Sequence, residues 1–160
     1  MKKLIITIVF IACSALLHAQ DYETSVGLRL GNSYGVSVKH FVSRYNAVEG
    51  ILSSRFSGYI LTGLYTYNNE MYEPGLNWYY GIGAHIGHFK GNRTSWPDWW
   101  DNNINDPMTI VGADAILGIE YVFYNTPISI SFDLKPGFNL MGNSNIWWDE
   151  FGLTFRYIIK

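Results

Sequence analysis

The stretch from Lys90 to Pro107 contains the residue types best suited to recognition. Its candidate recognition residues are Trp96, Asp98, Trp99, Trp100 and Asp101. Exposed indole rings stack on sugar rings and anchor protein partners, so this stretch predicts a surface site for an extracellular glycan or protein. The alternative is that the rings pack on the rim of the fold or lie among lipid headgroups.

Other candidate chemistry is weaker. Asp98, Asp101 and Asp106 offer oxygen ligands for calcium, but their spacing does not match the EF-hand pattern. His85 and His88 lie three positions apart, so on a strand they face opposite sides and cannot bind one metal ion together. The pattern Gly-x-Ser-x-Gly occurs at Gly31-Asn32-Ser33-Tyr34-Gly35, but it falls in a break between two predicted strands, whereas the serine elbow of hydrolases joins a strand to a helix. We therefore expect no catalytic residue, no metal site and no cofactor.

The composition excludes several classes of protein. Of the 160 residues, 48% are hydrophobic and 17% aromatic, whereas only 15% are charged. The formal net charge of −2 gives no basic surplus, so we expect no nucleic-acid partner. A single cysteine rules out an intramolecular disulfide framework and a thiolate zinc cluster. The length indicates one domain.

The first twenty residues predict an export signal. Lys2 and Lys3 precede an apolar run from Leu4 to Leu17, and Ala19 offers a small residue at the cleavage point. The sequence thus predicts a signal peptide over 1–20 and a mature domain over 21–160. A lipoprotein anchored at Cys13 is the alternative, but the apolar run continues beyond that cysteine.

Nearly all of the remaining chain alternates between apolar and polar residues with period two, which is typical of strands. The clearest run places apolar residues on one face at Ile128, Ile130, Phe132, Leu134, Phe138 and Leu140. Similar runs predict eight strands over 24–31, 34–42, 47–56, 58–67, 76–89, 108–123, 128–140 and 148–159. Glycine, asparagine, serine and proline occupy the breaks between them.

The direction in which each face points distinguishes two classes of β-barrel. A soluble carrier is apolar inside, whereas a membrane barrel is apolar outside and keeps its charges in the lumen. Glycine and serine, which suit a crowded interior, share the polar faces, and aromatic residues lie near the strand ends as in membrane interface belts. We therefore predict that an interior charge network is formed by Arg29, Lys39, Glu49, Arg55, Asp114, Glu120, Asp133, Lys135 and Arg156.

These features together predict an all-β protein, an eight-stranded antiparallel up-and-down transmembrane β-barrel. A sheet in hydrocarbon must close on itself, and a lumen of about eight strands is filled by side chains. Opposite charges in the lumen can pair, which predicts a plugged interior rather than a solute pore. A proton or ion path is the alternative role for these charges. With both termini in the periplasm, the connection 90–107 points outward.

The alternating strands and the ending Gly152-Leu153-Thr154-Phe155-Arg156-Tyr157 resemble the small outer-membrane β-barrel domains of Gram-negative bacteria, the OmpA-like and OmpX-like barrels. The resemblance implies that the protein lies in the outer membrane, in contact with its lipid. It also implies recognition of the C-terminal strand by the barrel-assembly machinery. Because this chain continues through Ile158-Ile159-Lys160, Phe155 and Tyr157 would have to serve in that recognition.

The function that we expect is membrane structure or surface interaction through the connection 90–107. A lipid-modifying enzyme is one alternative, since the resemblance includes barrels that act on lipid A. The deacylase pattern His-x-Ser is absent, because the residues two positions after His40, His85 and His88 are not serine. A soluble, lipocalin-like periplasmic carrier of apolar ligands is the other alternative.

Overall fold

The computed structural model describes residues 24–55, 58–89, 108–141 and 146–159. Exposed and buried side chains alternate along the strands with the period of two seen in the sequence. The strands are β1 (Thr24–Gly31), β2 (Tyr34–Phe41), β3 (Asn46–Arg55), β4 (Gly58–Glu70), β5 (Leu76–Phe89), β6 (Met108–Val122), β7 (Ile128–Leu134), β8 (Gly137–Met141), β9 (Ile146–Trp147) and β10 (Phe151–Ile159).

All strand pairs are antiparallel, and the sheet closes on itself. Each strand from β1 to β6 pairs with the next strand in the sequence, and β10 lies between β1 and β7. Because β7 pairs in turn with β6, the sheet forms a closed circle. β7 and β8 lie end to end along β6, while β9 and β10 follow one another along the next position of the sheet. The predicted eight-stranded antiparallel barrel is therefore confirmed.

The seventh barrel strand is interrupted at one proline. Pro136 has no N–H to donate to β6, but its carbonyl oxygen accepts a hydrogen bond from the backbone N–H of Ala115 at 2.9 Å. The register nevertheless continues, because Leu117 pairs with Leu134 and Asp114 pairs with Gly137. The sequence predicted one strand over 128–140, and the barrel position is continuous, with one ladder hydrogen bond missing at Pro136.

The last barrel strand differs more from the prediction of 148–159. β9 and β10 are separated by residues 148–150, which are not in a strand. The backbone N–H of Lys135 donates to the carbonyl oxygen of Glu150 at 2.7 Å across this gap. In contrast to this interrupted strand, β4 is longer than predicted. It continues to Glu70, past the predicted end at 67, because its last residues pair with the start of β5.

The barrel has two ends, which we name by their connections. The turn end carries the connections 42–45, 71–75 and 123–127 and the outer ends of β1 and β10. The loop end carries the connections 32–33, 56–57, 90–107 and 142–145. Gly75 has φ of 85°, a left-handed conformation that glycine adopts without strain and that the turn 71–75 uses.

Two predictions fall largely on undescribed residues. The signal peptide over 1–20 and the recognition residues Trp96, Asp98, Trp99, Trp100 and Asp101 lie outside the described residues. In the part of the chain that the structure describes, no helix is long and apolar enough to cross a membrane.

Candidate functional site

The interior of the barrel is polar and its outer surface is apolar. Arg156 is 1% exposed on the same strand that leaves Phe155 and Tyr157 at 42% and 58%. Ile82 on β5 is 72% exposed, while His85 on that strand is buried. A soluble carrier would show the opposite distribution, with charged side chains outward and apolar ones around a cavity.

The interior half nearest the turn end, which we call the turn-half cluster, contains two cations between two carboxylates. Lys39 Nζ lies 2.7 Å from Glu120 Oε2. Arg156 contacts Glu49 Oε1 at 2.5 Å through Nη2 and Glu120 Oε1 at 3.4 Å through Nη1. Asn68 Oδ1 accepts a hydrogen bond from Lys39 Nζ at 2.8 Å. These contacts link five strands of the barrel, β2, β3, β4, β6 and β10.

Serine hydroxyls complete the turn-half cluster. Ser37 donates to Glu49 Oε1 at 2.6 Å, and Ser129 donates to Glu120 Oε1 at 2.8 Å. Ser131 Oγ accepts from Arg156 Nη1 at 2.5 Å. Short polar side chains on the interior face thus add hydrogen bonds to the ions, which a buried charge requires, although Glu49 Oε2 accepts none from the described residues.

The middle of the interior is occupied by Arg29 and Asp133. The two guanidinium nitrogens of Arg29 donate to Asp133 at 2.9 and 2.6 Å, and Tyr79 donates its hydroxyl to the same carboxylate at 2.9 Å. Gly152 lies against this guanidinium so closely that a Cβ at that position would overlap it. Glycine at position 152 therefore leaves room for the arginine side chain, which would have to move if a Cβ were present.

The loop-half cluster occupies the other half of the interior. Lys135 Nζ lies between two carboxylates, 3.4 Å from Asp114 Oδ1 and 3.2 Å from Glu150 Oε2. His85 contacts Asp114 Oδ2 at 2.9 Å through Nδ1 and Asn139 Oδ1 at 2.9 Å through Nε2. Ser33 donates to Glu150 at 3.1 Å.

One further ion pair lies at the rim of the loop end. Arg55 Nη2 is 2.7 Å from Asp149 Oδ2, and Asn32 donates its side-chain N–H to the backbone oxygen of Asp149 at 2.5 Å. The Asp149 side chain is 52% exposed, in contrast to the carboxylates inside.

The structure buries every residue of the predicted interior network. These are Arg29, Lys39, Glu49, Arg55, Asp114, Glu120, Asp133, Lys135 and Arg156. Sequence reasoning missed Glu150, which is 1% exposed and gives the described interior five anions beside five cations. The sequence did contain a signal for Glu150, because period-two alternation places it on the same face as Gly152, Thr154 and Arg156.

Apolar side chains fill part of the lumen. Ile51, Leu64, Tyr79 and Ile116 form a buried cluster. Ile60, Phe89 and Ile110 are buried nearer the loop end, at most 1% exposed. At the turn end a cavity of about 450 Å³ opens, with Glu120 among its lining residues. Among the described residues, no three His, Cys, Asp or Glu side chains are arranged to bind a metal ion.

Comparison with known proteins gives a likeness in fold. No protein-family model and no curated protein sequence matches the chain. The crystal structure of the N-terminal β-barrel domain of Pseudomonas aeruginosa OprF superposes with a TM-score of 0.64. Identity is 14%, over 86% of this chain and 96% of that one. The chain therefore has the fold of an OmpA-like eight-stranded β-barrel domain, as its sequence pattern predicted.

Proposed function

We propose that this protein is an outer-membrane β-barrel with a structural or surface-interaction role and a plugged, charge-paired interior. The observation that carries the proposal is the distribution of side chains, with large apolar residues exposed on the outside and ion pairs inside. Soluble monomers rarely expose continuous apolar patches above a few hundred Å², because water disfavours them. Hydrocarbon accepts that surface and disfavours every charge that is now inside.

The contacts between interior ions support a plug rather than a pore. Ion pairs occur in the turn half, the middle and the loop half. Lys39–Glu120 joins opposite sides of the barrel, Arg29–Asp133 spans one intervening strand, and Lys135–Glu150 joins neighbouring positions of the sheet. A solute would have to break several buried pairs in sequence, and breaking one costs about 3–5 kcal/mol.

We place the surface interaction in the connection 90–107, with Trp96, Asp98, Trp99, Trp100 and Asp101 as the recognition residues for a glycan or protein. Its support is the sequence: aromatic and acidic residues in the connection between the two longest strands, β5 and β6. Export by the signal peptide over 1–20 and assembly through Phe155 and Tyr157 belong to the same proposal.

The barrel proposal is tested by electrophoresis of detergent-extracted protein with and without boiling. A closed membrane barrel resists SDS at room temperature and changes mobility when heated. Release into the soluble periplasmic fraction without detergent would contradict the proposal.

The plug and the surface role need separate tests. Proteoliposomes containing the protein should swell no faster in a sugar solution than protein-free liposomes, and rapid swelling would contradict the plug. A triple variant with alanine at Trp96, Trp99 and Trp100 should lose binding of cells to glycan arrays or host matrix proteins while keeping heat-modifiable mobility. Unchanged binding would contradict the role of the connection.

A further inference from the structure

The wall of the barrel has unequal height. β1 and β2 have 8 residues each, whereas β5 has 14 and β6 has 15. With a rise of about 3.3 Å per residue and a tilt of about 40°, the short strands cover about 20 Å along the barrel axis and the long ones about 35 Å. The apolar band of an outer-membrane barrel is about 25 Å tall, so the β1–β2 hairpin falls short of it.

The difference in height lies at the loop end. One cavity at the turn end is lined by residues from short and long strands alike, among them Ser25, Phe41, Asn77, Val122, Ser129 and Ile158. Each of these residues lies at or next to the turn end of its strand, so the short and long strands begin around one mouth. The tip of the β1–β2 hairpin at Asn32-Ser33 is therefore lower than the loop ends of β5 and β6. We call this tip, with Tyr34, Arg55 and Trp148–Glu150 beside it, the low wall.

The low wall exposes polar groups at a depth where hydrocarbon would otherwise reach. Asn32 is exposed and donates to the backbone oxygen of Asp149, whose carboxylate is 52% exposed and paired with Arg55. A charged side chain that faces lipid hydrocarbon costs several kcal/mol. Water or lipid headgroups must therefore reach Asp149.

Aromatic side chains mark the same level. Tyr34 is 65% exposed and Trp148 is 73% exposed, and both flank the hairpin tip. Tyrosine and tryptophan prefer the boundary between headgroups and hydrocarbon because their rings are apolar and their N–H or O–H is polar. On the high side, Ile86 and Leu140 remain 51% and 61% exposed near the loop ends of β5 and β8, where apolar contact is still needed.

We propose that the bilayer leaflet at the loop end is thinned beside the low wall, so that its headgroups contact Asn32, Tyr34 and Asp149. The partner of this surface is lipid. Thinning is the ordinary response of a bilayer to a short apolar span and costs fractions of a kcal/mol per Å, less than exposing a carboxylate to hydrocarbon. This inference rests on the proposed membrane location.

The test measures the depth of spin labels in phosphatidylcholine vesicles. Asn32→Cys places a label at the low wall, and Ala113→Cys places one on the outward face of β6, roughly as far along its strand from the turn end. We expect the label at position 32 to collide often with a water-soluble nickel reagent and rarely with oxygen, which concentrates in hydrocarbon. The label at position 113 should collide often with oxygen and rarely with the nickel reagent. Tyr34→Cys gives a second low-wall position that leaves the Asn32–Asp149 contact intact.

The outcomes separate the two proposals. Oxygen-accessible labels at positions 32, 34 and 113 alike would overturn the thinned leaflet and leave the membrane barrel standing. Nickel access at position 113 as well as at 32 and 34 would overturn the membrane location itself. Shielding of 32 and 34 from both reagents would mean that protein covers the low wall, for example a second copy, and would also overturn the lipid contact.

Discussion

The two halves of the barrel interior use similar charges with different geometry. In the turn-half cluster, Arg156 engages two carboxylates and its contact with Glu49 is 2.5 Å. In the loop-half cluster, Lys135 lies between two carboxylates at 3.2 and 3.4 Å. An arginine presents several N–H groups in a fixed plane, whereas a lysine is a point charge on a flexible stem. We infer that the turn half fixes the relative positions of the strands more strongly.

The largest expected effect tests the turn half directly. Arg156→Ala leaves Glu49 buried without its guanidinium and removes one of two cations from Glu120. Leaving a buried charge uncompensated lowers the free energy of unfolding by about 3–5 kcal/mol. Urea unfolding in lipid vesicles, followed by tryptophan fluorescence, measures this loss. The matched control is Arg44→Ala, whose 3.9 Å pair with Glu70 is exposed and should contribute less than about 1 kcal/mol.

The same measurement on Lys135→Ala tests the loop half. In both variants the carboxylates keep a hydrogen bond or an ion pair, such as Ser33 on Glu150 here and Ser37 on Glu49 in Arg156→Ala. The contacts that Lys135→Ala removes are longer, at 3.2 and 3.4 Å, than the 2.5 Å contact of Arg156. We expect the free energy of unfolding to fall by about 2 kcal/mol, the range for a hydrogen bond to a charged group. A loss equal to that of Arg156→Ala would remove the distinction between the two halves.

A glycine substitution tests the Arg29–Asp133 pair, which lies between the turn-half and loop-half clusters. Gly152→Ala introduces a Cβ that overlaps the Arg29 guanidinium, so Arg29 must move away from Asp133. Overpacking of this kind costs about 1–3 kcal/mol. Gly63→Ala is the matched control, because its Cβ would meet nothing within 4 Å, and it should be neutral or slightly stabilising. Equal destabilisation by both substitutions would contradict the crowding of the interior.

The smallest effect is expected at the rim. Arg55→Ala breaks a pair whose aspartate is 52% exposed to solvent. Because solvent screens such a pair, the free energy of unfolding should fall by about 1 kcal/mol or less, and the loss should shrink at high salt. A loss as large as that of Lys135→Ala, insensitive to salt, would place Arg55 with the interior clusters.

The side chains that share one face of each strand could be predicted from the sequence. Period-two alternation in a strand assigns each side chain to a face, and the crowded glycines and serines identify the polar face as the interior. That rule also covers Glu150, which we overlooked because it precedes the clearest part of the final run. Interior apolar residues such as Ile51 were harder, since they do not differ in type from residues that face outward.

The partners of the interior charges could not be predicted. Arg29 pairs with Asp133 at a separation of 104 positions, and Arg156 pairs with Glu49 at 107. Such pairs depend on strand stagger and on side chains crossing the lumen, which a local pattern does not encode. The gap at residues 148–150 was missed for a related reason, because it depends on Glu150 reaching Lys135.

Among the described residues, the equal number of positive and negative groups in the lumen also constrains which mutations the protein can accept. A reversal of sign at Arg29 alone would place two repelling carboxylates in contact, since Asp133 has no other arginine or lysine among its contacts described above. Mutations at two distant codons must therefore compensate each other, and homologues should exchange these charges as linked pairs. The outward-facing aliphatic residues of the described strands carry no charge that needs a partner, so they are free to vary one at a time.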